Sequence, residues 1–383
     1  MDLERLQRLL RLGFEKGASD IHFQVGCLPL YRFNGELVEL RFKVLEACDT
    51  EAIARELIGP DADRKLTDCS ELDLAYELPG EGRFRVNISR ERRAFNIVLR
   101  VIPIEVKTFE ELNLPSVLRQ VADIHRGLVL VTGATGMGKS TTLATMIQEI
   151  NLARKCKVIT VEDPVEFVFK HERAVITQRE VGTDTPCFPA ALRAALRQDP
   201  DVIMVGEMRD GETVDTALKA SETGHAVFSS IHTSDVVSSI RRVLSFFPAE
   251  EENQVRERLA DNVQAIISLR LLPNKKGNSR VPAVEIMRMT RSIQACIRDA
   301  GRLEEIREHI ARGRELMQMQ TFDQHLLDLY QAGKIGIETA STAASNPRDF
   351  ATHLALEGDE PGIEVDVEGD PGAPVEVPED ERF

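Results

Sequence analysis

The chain has no tryptophan, and aromatic residues fill only 5% of its 383 positions. Its core must therefore be built mainly from aliphatic side chains. A surface that stacks single-stranded nucleic acid on interleaved aromatics has little material to draw on. The six cysteines, Cys27, Cys48, Cys69, Cys156, Cys187 and Cys296, include no Cys-x-x-Cys pair. Neither a zinc ribbon nor a redox pair is signalled, and scattered reduced thiols are the expectation. No apolar run approaches the roughly 18 residues of a membrane span, so no direct membrane insertion is predicted and any membrane association goes through a partner. The opening stretch, MDLERLQRLLRLGFEKG, is charged throughout and reads as an amphipathic helix, not a secretory signal.

Basic character is also lacking. The formal net charge is −15, but residues 357–383 hold eleven acidic residues and one arginine. The remaining chain is only mildly acidic, so the overall charge says little about the partner of the folded part. Gly358 to Phe383 also carries four prolines and few apolar residues. Residues 353–383 are predicted to form a disordered acidic tail, with a docking peptide as the competing reading.

Hydrophobic residues are nonetheless 42% of the chain, enough for a sizeable packed core. The most informative stretch is LVLVTGATGMGKSTT, Leu128 to Thr142. An apolar, β-branched run reads as a buried strand. It ends in Gly133-Ala134-Thr135-Gly136-Met137-Gly138-Lys139-Ser140, a full G-x-x-x-x-G-K-[ST] pattern, and a helical pattern with Leu143, Met146, Ile147 and Ile150 on one face follows. Glycines let such a loop turn its backbone N–H groups toward phosphate oxygens, and the helix N-terminus adds a positive dipole end. Lys139 would reach the β- and γ-phosphates, and the Ser140 hydroxyl would bind Mg²⁺.

Around this loop the chain divides. Residues 1–102 mix helical patterns with short alternating strands, an α+β arrangement. Residues 103–115 hold two prolines and little periodicity and read as a linker. From residue 116 strands alternate with helices, which predicts an α/β unit with a largely parallel sheet. Strands are expected at Leu128–Thr132, Lys157–Glu162, Ala174–Gln178, Val202–Val205 and Ala226–His232. From Ala249 to Arg348 the pattern reads as mostly helical, with Val281–Met289 the one strand.

Several polar constellations accompany the loop. The strand Val202–Val205 ends in Gly206-Glu207, where a carboxylate can order a metal's water shell or polarise an attacking water; the competing reading is a helix cap. Glu162, Asp163 and Glu166 cluster after another strand, facing either a phosphate or solvent. His225 and His232 are seven residues apart along a strand, an odd offset that sends their side chains to opposite faces and argues against one shared metal. Arg83, Arg85, Arg90, Arg92, Arg93 and Arg100 enrich the first unit. They suit single-stranded nucleic acid, a neighbouring subunit's triphosphate, or a solvated strand face.

Together these segments resemble the secretion ATPase superfamily, most closely the twitching-motility retraction ATPases of type IV pili (the PilT/PilU group). Gly17-Ala18-Ser19-Asp20-Ile21-His22 is similar to the family's GASDLH, and Arg83-Phe84-Arg85-Val86-Asn87 to its RFRVN. Thr160 to Phe167 resembles its Asp box, Val205 to Asp210 its Walker B and Thr223 to Thr233 its His box. Gln178 to Gly182 and Leu192 to Asp201 also match.

The resemblance implies a PAS-like domain at 1–102, a linker at 103–115 and a RecA-like P-loop ATPase domain with C-terminal helices at 116–352. It implies a homohexamer that hydrolyses ATP with Mg²⁺. The loop Gly133, Ala134, Thr135, Gly136, Met137, Gly138, Lys139, Ser140 and Thr141 would bind nucleotide, joined by Arg83, Arg93 and Arg100. Glu207, Glu166, His232 and His225 would serve catalysis, with Ser140 on Mg²⁺ and Glu207 reaching it through water. The linker would be the hinge for a motor that drives pilus retraction. Its expected place is cytoplasmic, peripheral to the inner membrane, engaged with a pilus platform protein and with room for a second retraction ATPase.

The four-cysteine zinc motif and longer N-terminus of extension ATPases are absent. The AIRNL segment usual after Glu285-Ile286-Met287 is replaced by Ser292-Ile293-Gln294-Ala295-Cys296-Ile297. That replacement suits an accessory retraction ATPase dependent on a partner motor. No nucleic acid is expected; a nucleic-acid translocase, the reading from a different class, would show ATP hydrolysis stimulated by single-stranded DNA.

Overall fold

The computed structural model describes residues 3–350, apart from 34, 68–69, 79–81, 103–105, 278, 346 and 348–349. The predicted acidic tail at 353–383, Cys69 and Pro103 lie outside the described residues.

The first sheet has six strands, β1 (Asp20–Phe23), β2 (Leu30–Phe33), β3 (Glu36–Glu39), β4 (Glu71–Leu78), β5 (Gly82–Glu91) and β6 (Ala94–Ile102), in the order β3-β2-β1-β6-β5-β4. Every pairing is antiparallel. Its two faces follow from strict alternation. Phe84, Val86 and Ile88 of β5 and Ile97 and Leu99 of β6 are buried under Leu6 and Leu10 of the helix Leu3–Glu15 and Ile53 and Leu57 of the helix Ala47–Ile58. The other face carries Arg83, Arg85, Arg100, Asp20 and Arg32. Arg85, Arg100, Asp20 and Arg32 stand in one cross-strand row.

The second sheet has seven strands: β7 (Gly127–Thr132), β8 (Lys157–Glu162), β9 (Val175–Glu180), β10 (Val202–Val205), β11 (Ala226–Ile231), β12 (Val263–Pro273) and β13 (Arg280–Arg288). Their order is β13-β12-β7-β11-β10-β8-β9. All neighbours are parallel except β12 and β13. Alternate residues of β7 feed opposite layers. Leu128 and Leu130 pack with the helices Gly211–Glu222, Val236–Leu244 and Ala249–Asn262, whereas Val129 and Val131 pack with the helices Lys139–Ala153 and Val117–Ala122. Each such fully buried aliphatic side chain contributes roughly 1.5–3 kcal/mol.

Two expectations need correction. Val263–Pro273 is a strand lying beside β7, not part of a helical region. Its residues Val263, Ala265, Ile266, Ile267 and Leu269 are all buried, so the run shows none of the alternation that marks a half-exposed strand. The latter part of the expected linker is also not free. Phe109 and Leu114 are buried in the second sheet's core, and Thr145 Oγ1 donates to the Lys107 carbonyl at 3.0 Å. Arg119 lies 5.5 Å over the Phe109 ring. Among the described residues, no helix is long and apolar enough to cross a membrane.

The parallel topology matters most for function. The carboxyl ends of β7, β8, β10 and β11 open on the same edge of the sheet, the usual place for a ligand crevice in an α/β fold.

Candidate active site

The loop after β7 is shaped by close approach. Gly133 has φ 151°, and a Cβ there would lie 2.8 Å from the Leu269 carbonyl oxygen of the neighbouring β12. Thr132 Oγ1 donates to Ser268 Oγ at 2.9 Å, tying the end of β7 to β12 immediately before the turn. Gly138, at φ 88°, caps the helix Lys139–Ala153 in a left-handed conformation that disfavours side chains. The helix begins at Lys139, so its unpaired N–H groups and positive dipole end face the crevice.

Lys139 is buried, and its Nζ donates to the Ala134 carbonyl at 3.0 Å. Burial lowers its pKa, opposed by the charges of Glu207 and Glu166. Ser140 Oγ donates to Glu166 Oε1 at 2.9 Å. Glu162, almost wholly buried at the end of β8, accepts from Thr160 Oγ1 at 2.7 Å, Gln178 Nε2 at 3.2 Å and the Glu166 N–H at 3.3 Å. Burial pushes its carboxyl upward against those three donors.

Glu207 follows β10 across Gly206 and is only 14% exposed. Arg209 donates to Glu207 Oε1. His232, immediately after β11, brings Nε2 to 3.2 Å from Glu207 Oε2. That is near enough for attraction but not aligned as a hydrogen bond, so the buried Oε2 has no donor among the described residues. His232 Nδ1 lies 3.4 Å from Lys139 Nζ and 3.5 Å from Thr135 Oγ1. Lysine, serine, three glutamates and a histidine thus enclose one cleft of about 580 Å³, with Thr135, Gly136, Gly138 and Thr141 in its wall.

These residues fit a hard divalent cation. The Ser140 hydroxyl and the undonated Glu207 Oε2 are oxygen ligands of the type Mg²⁺ takes directly or through water. The neighbouring Lys139 and the helix terminus would neutralise the phosphates that such a cation accompanies.

Not every expected residue reaches this cleft. Gly133, Ala134 and Met137 shape the loop without lining it; Ala134 and Met137 line a separate groove beside Leu271. His225 sits at the opposite end of β11 from His232. Its Nδ1 lies 2.9 Å from the Ala220 carbonyl and 3.2 Å from Thr223 Oγ1, in the turn closing the helix Gly211–Glu222. The six residues of β11 put it a strand length from the phosphate loop of its own chain.

Arg83 pairs with Glu180 of β9 at 2.7 Å, joining the two sheets. Arg100 pairs with Asp20 within the first sheet at 3.0 Å. Arg93 lies at the tip of the β5–β6 hairpin, where both Arg92 and Arg93 have positive φ.

Three cations outside the nucleotide-binding set that the resemblance implied line the cleft instead: Arg85, named only among the arginines of the first unit, and Arg209 and Arg280. Arg85 shares a strand face with Arg83, two residues away, so alternation along β5 would have nominated both. Arg209 lies inside the Walker B-like segment Val205 to Asp210. Arg280 opens β13 and had no local signal, because only the sheet order carries that strand toward the phosphate loop.

Residues 4–355 match the family described as type II/IV secretion system protein. The chain is 41% identical over 345 residues to the type IV pilus retraction ATPase PilT of Pseudomonas aeruginosa, covering 90% of this chain and 99% of that one. It is 37% identical over 350 residues to the type IV pilus ATPase PilU of the same organism, covering 91% of each. Among solved structures, the crystal structure of the pilus retraction motor PilT with bound ADP superposes with a TM-score of 0.82 at 42% identity, over 90% of this chain and 98% of that one.

Proposed function

The chain belongs to the type II/IV secretion system protein family, and from that premise we propose that it is an ATP-hydrolysing hexameric motor that drives pilus retraction. The observation that carries the reading is the convergence of Lys139, Ser140, Glu207 and His232 on one cleft at the carboxyl edge of a parallel sheet. The phosphate loop and the start of the helix Lys139–Ala153 hold the triphosphate, and Ser140 with Glu207 holds Mg²⁺, which supplies charge neutralisation when bound. Glu207 Oε2, without a donor, accepts from the attacking water; Arg209 fixes the carboxylate through its other oxygen. His232 lies between Lys139 and Glu207 and donates toward the terminal phosphate. Glu166 holds Ser140 and exchanges that contact as nucleotide enters.

The cleft is lined by Arg85 of the first sheet as well as by the second sheet's loops, so nucleotide chemistry is coupled to the packing of the two units. The Arg83–Glu180 pair joins the same two units. Arg93, held at a hairpin tip, points to use across a subunit boundary. The ring engages an inner-membrane pilus platform from the cytoplasmic side. Direct observation of labelled pili tests this: deletion of the gene abolishes or slows retraction, and a Lys139→Ala chain does not restore it. Normal retraction in both strains would overturn the motor assignment.

One observation favours a second reading, an accessory retraction ATPase. The helix Arg291–Arg298 carries Ser292, Gln294, Ala295 and Cys296 where the retraction group has AIRNL. In that case, retraction requires both this chain and a second retraction ATPase, and this chain alone produces none.

A further inference from the structure

The same helix carries a feature that the ATPase reading does not use. Cys296 is completely buried on the helix Arg291–Arg298, and its Sγ lies 3.9 Å from Glu305 Oε2 on the helix Glu305–Arg312. His309 stands one turn beyond Glu305, so the two side chains share a helix face. The ligand atoms of Cys296, Glu305 and His309 all lie within 4.8 Å of one another. We propose that these three residues form a binding site for a borderline-soft divalent cation of the Zn²⁺ class, which clamps the helix Arg291–Arg298 to the helix Glu305–Arg312.

The donor chemistry is specific. Thiolate, imidazole and carboxylate together suit zinc, whereas Mg²⁺ and Ca²⁺ prefer all-oxygen sets. Bonds of about 2.0–2.3 Å to a tetrahedral ion place donors roughly 3.3–3.8 Å apart, so donors within 4.8 Å of one another must contract by no more than about 1.5 Å. The scaffold allows that contraction. Ile293, Ile297, Ile306 and Ile310 are fully buried and fix the two helices, while Glu305 is exposed and His309 half-buried, free to rotate onto the ion. The His309 ring makes no hydrogen bond among the described residues, so no existing bond is lost. Three protein ligands leave a fourth position for water on the exposed side.

One group opposes the ion. Arg302 contacts the Glu305 carboxylate, with Nη2 2.8 Å from Oε2 and Nε 3.1 Å from each oxygen. A cation must share that carboxylate with the guanidinium. Arg302 therefore weakens affinity through like charge while orienting the ligand, which gives the proposal a variant that strengthens binding.

The test uses the purified, chelator-treated full-length chain without nucleotide, titrated with Co²⁺. A thiolate-to-cobalt charge-transfer band reports cysteine ligation and is silent for the oxygen ligands of the nucleotide cleft. The expected result is a band saturating at one Co²⁺ per chain, displaced by Zn²⁺, and lost in Cys296→Ser. His309→Gln, a substitution at a half-buried position that should leave the fold intact by circular dichroism, weakens Co²⁺ affinity at least tenfold. Arg302→Gln tightens it. A wild-type chain with no charge-transfer band would overturn the proposal. So would a band that survives Cys296→Ser unchanged, since it would arise from another thiol.

Discussion

Removing the Arg83 side chain should loosen the first sheet from the second. Arg83 Nη2 donates to Glu180 Oε2 at 2.7 Å, and the Glu180 side chain is 6% exposed against 22% for Arg83. Arg83→Ala leaves a buried carboxylate with two neutral donors, the Val165 N–H at 3.1 Å and Thr183 Oγ1 at 3.2 Å. Losing one partner of a fully buried pair costs about 3–5 kcal/mol, and an exposed pair about 0–1 kcal/mol. The partial exposure of Arg83 and the two remaining donors place this case near 2 kcal/mol. The assay is a double-mutant cycle with Glu180→Gln, read from the urea midpoint of the first unfolding transition. Glu180→Gln in the Arg83→Ala background should recover most of the loss, because the stranded charge is gone. The coupling should persist in high salt, since ions screen buried pairs weakly. A coupling energy below about 0.5 kcal/mol, the level of independent sites, would refute the view that this pair holds the two units together.

Glu285, buried in β13, accepts the Val236 N–H at 2.8 Å, and burial pushes its carboxyl from 4.5 up to about 7. Its folded pKa is raised, so its stabilising effect is full below 4.5 and is lost as pH rises to about 7, on the order of 3 kcal/mol in all; Glu285→Gln should flatten that part of the urea-midpoint profile, and an unchanged profile would count against it. His232→Ala should lower kcat about 10- to 100-fold with little change in nucleotide affinity. His225→Ala should lower it far less, and equal losses would contradict the placement of the two histidines. Arg85→Ala should raise the KM for ATP about tenfold, as expected for a lost phosphate contact of about 1.4 kcal/mol, and an unchanged KM would remove Arg85 from the cleft's working set.

The sequence made the site's chain-local parts legible. A strand, glycine turn and helix are contiguous, so the pattern from Leu128 to Ile150 contains its own geometry. The odd seven-residue offset separated His225 from His232 before any coordinates. What stayed hidden depends on contacts between distant segments. Val263–Pro273 looked helical because burial on both faces erases alternation. The partner of Arg83 could not be read, because Glu180 lies 97 residues away on the other sheet. Arg280 reaches the cleft only because β12 and β13 extend the sheet beyond β7. Residues 103–115 read as linker from their lack of period, yet two of the apolar residues among them, Phe109 and Leu114, fill the core beneath the helix Lys139–Ala153.

The most direct test of the account is Mg²⁺-dependent ATP turnover by the purified chain, compared with Glu207→Gln and Lys139→Ala, together with nucleotide binding by a fluorescent ATP analogue. The geometry predicts that Glu207→Gln binds nucleotide as well as the parent but turns over about 100-fold more slowly or worse, since Oε2 loses the charge that polarises water. Lys139→Ala should lose most of its binding. Wild-type turnover in both variants would contradict the claim that this cleft is where ATP is hydrolysed.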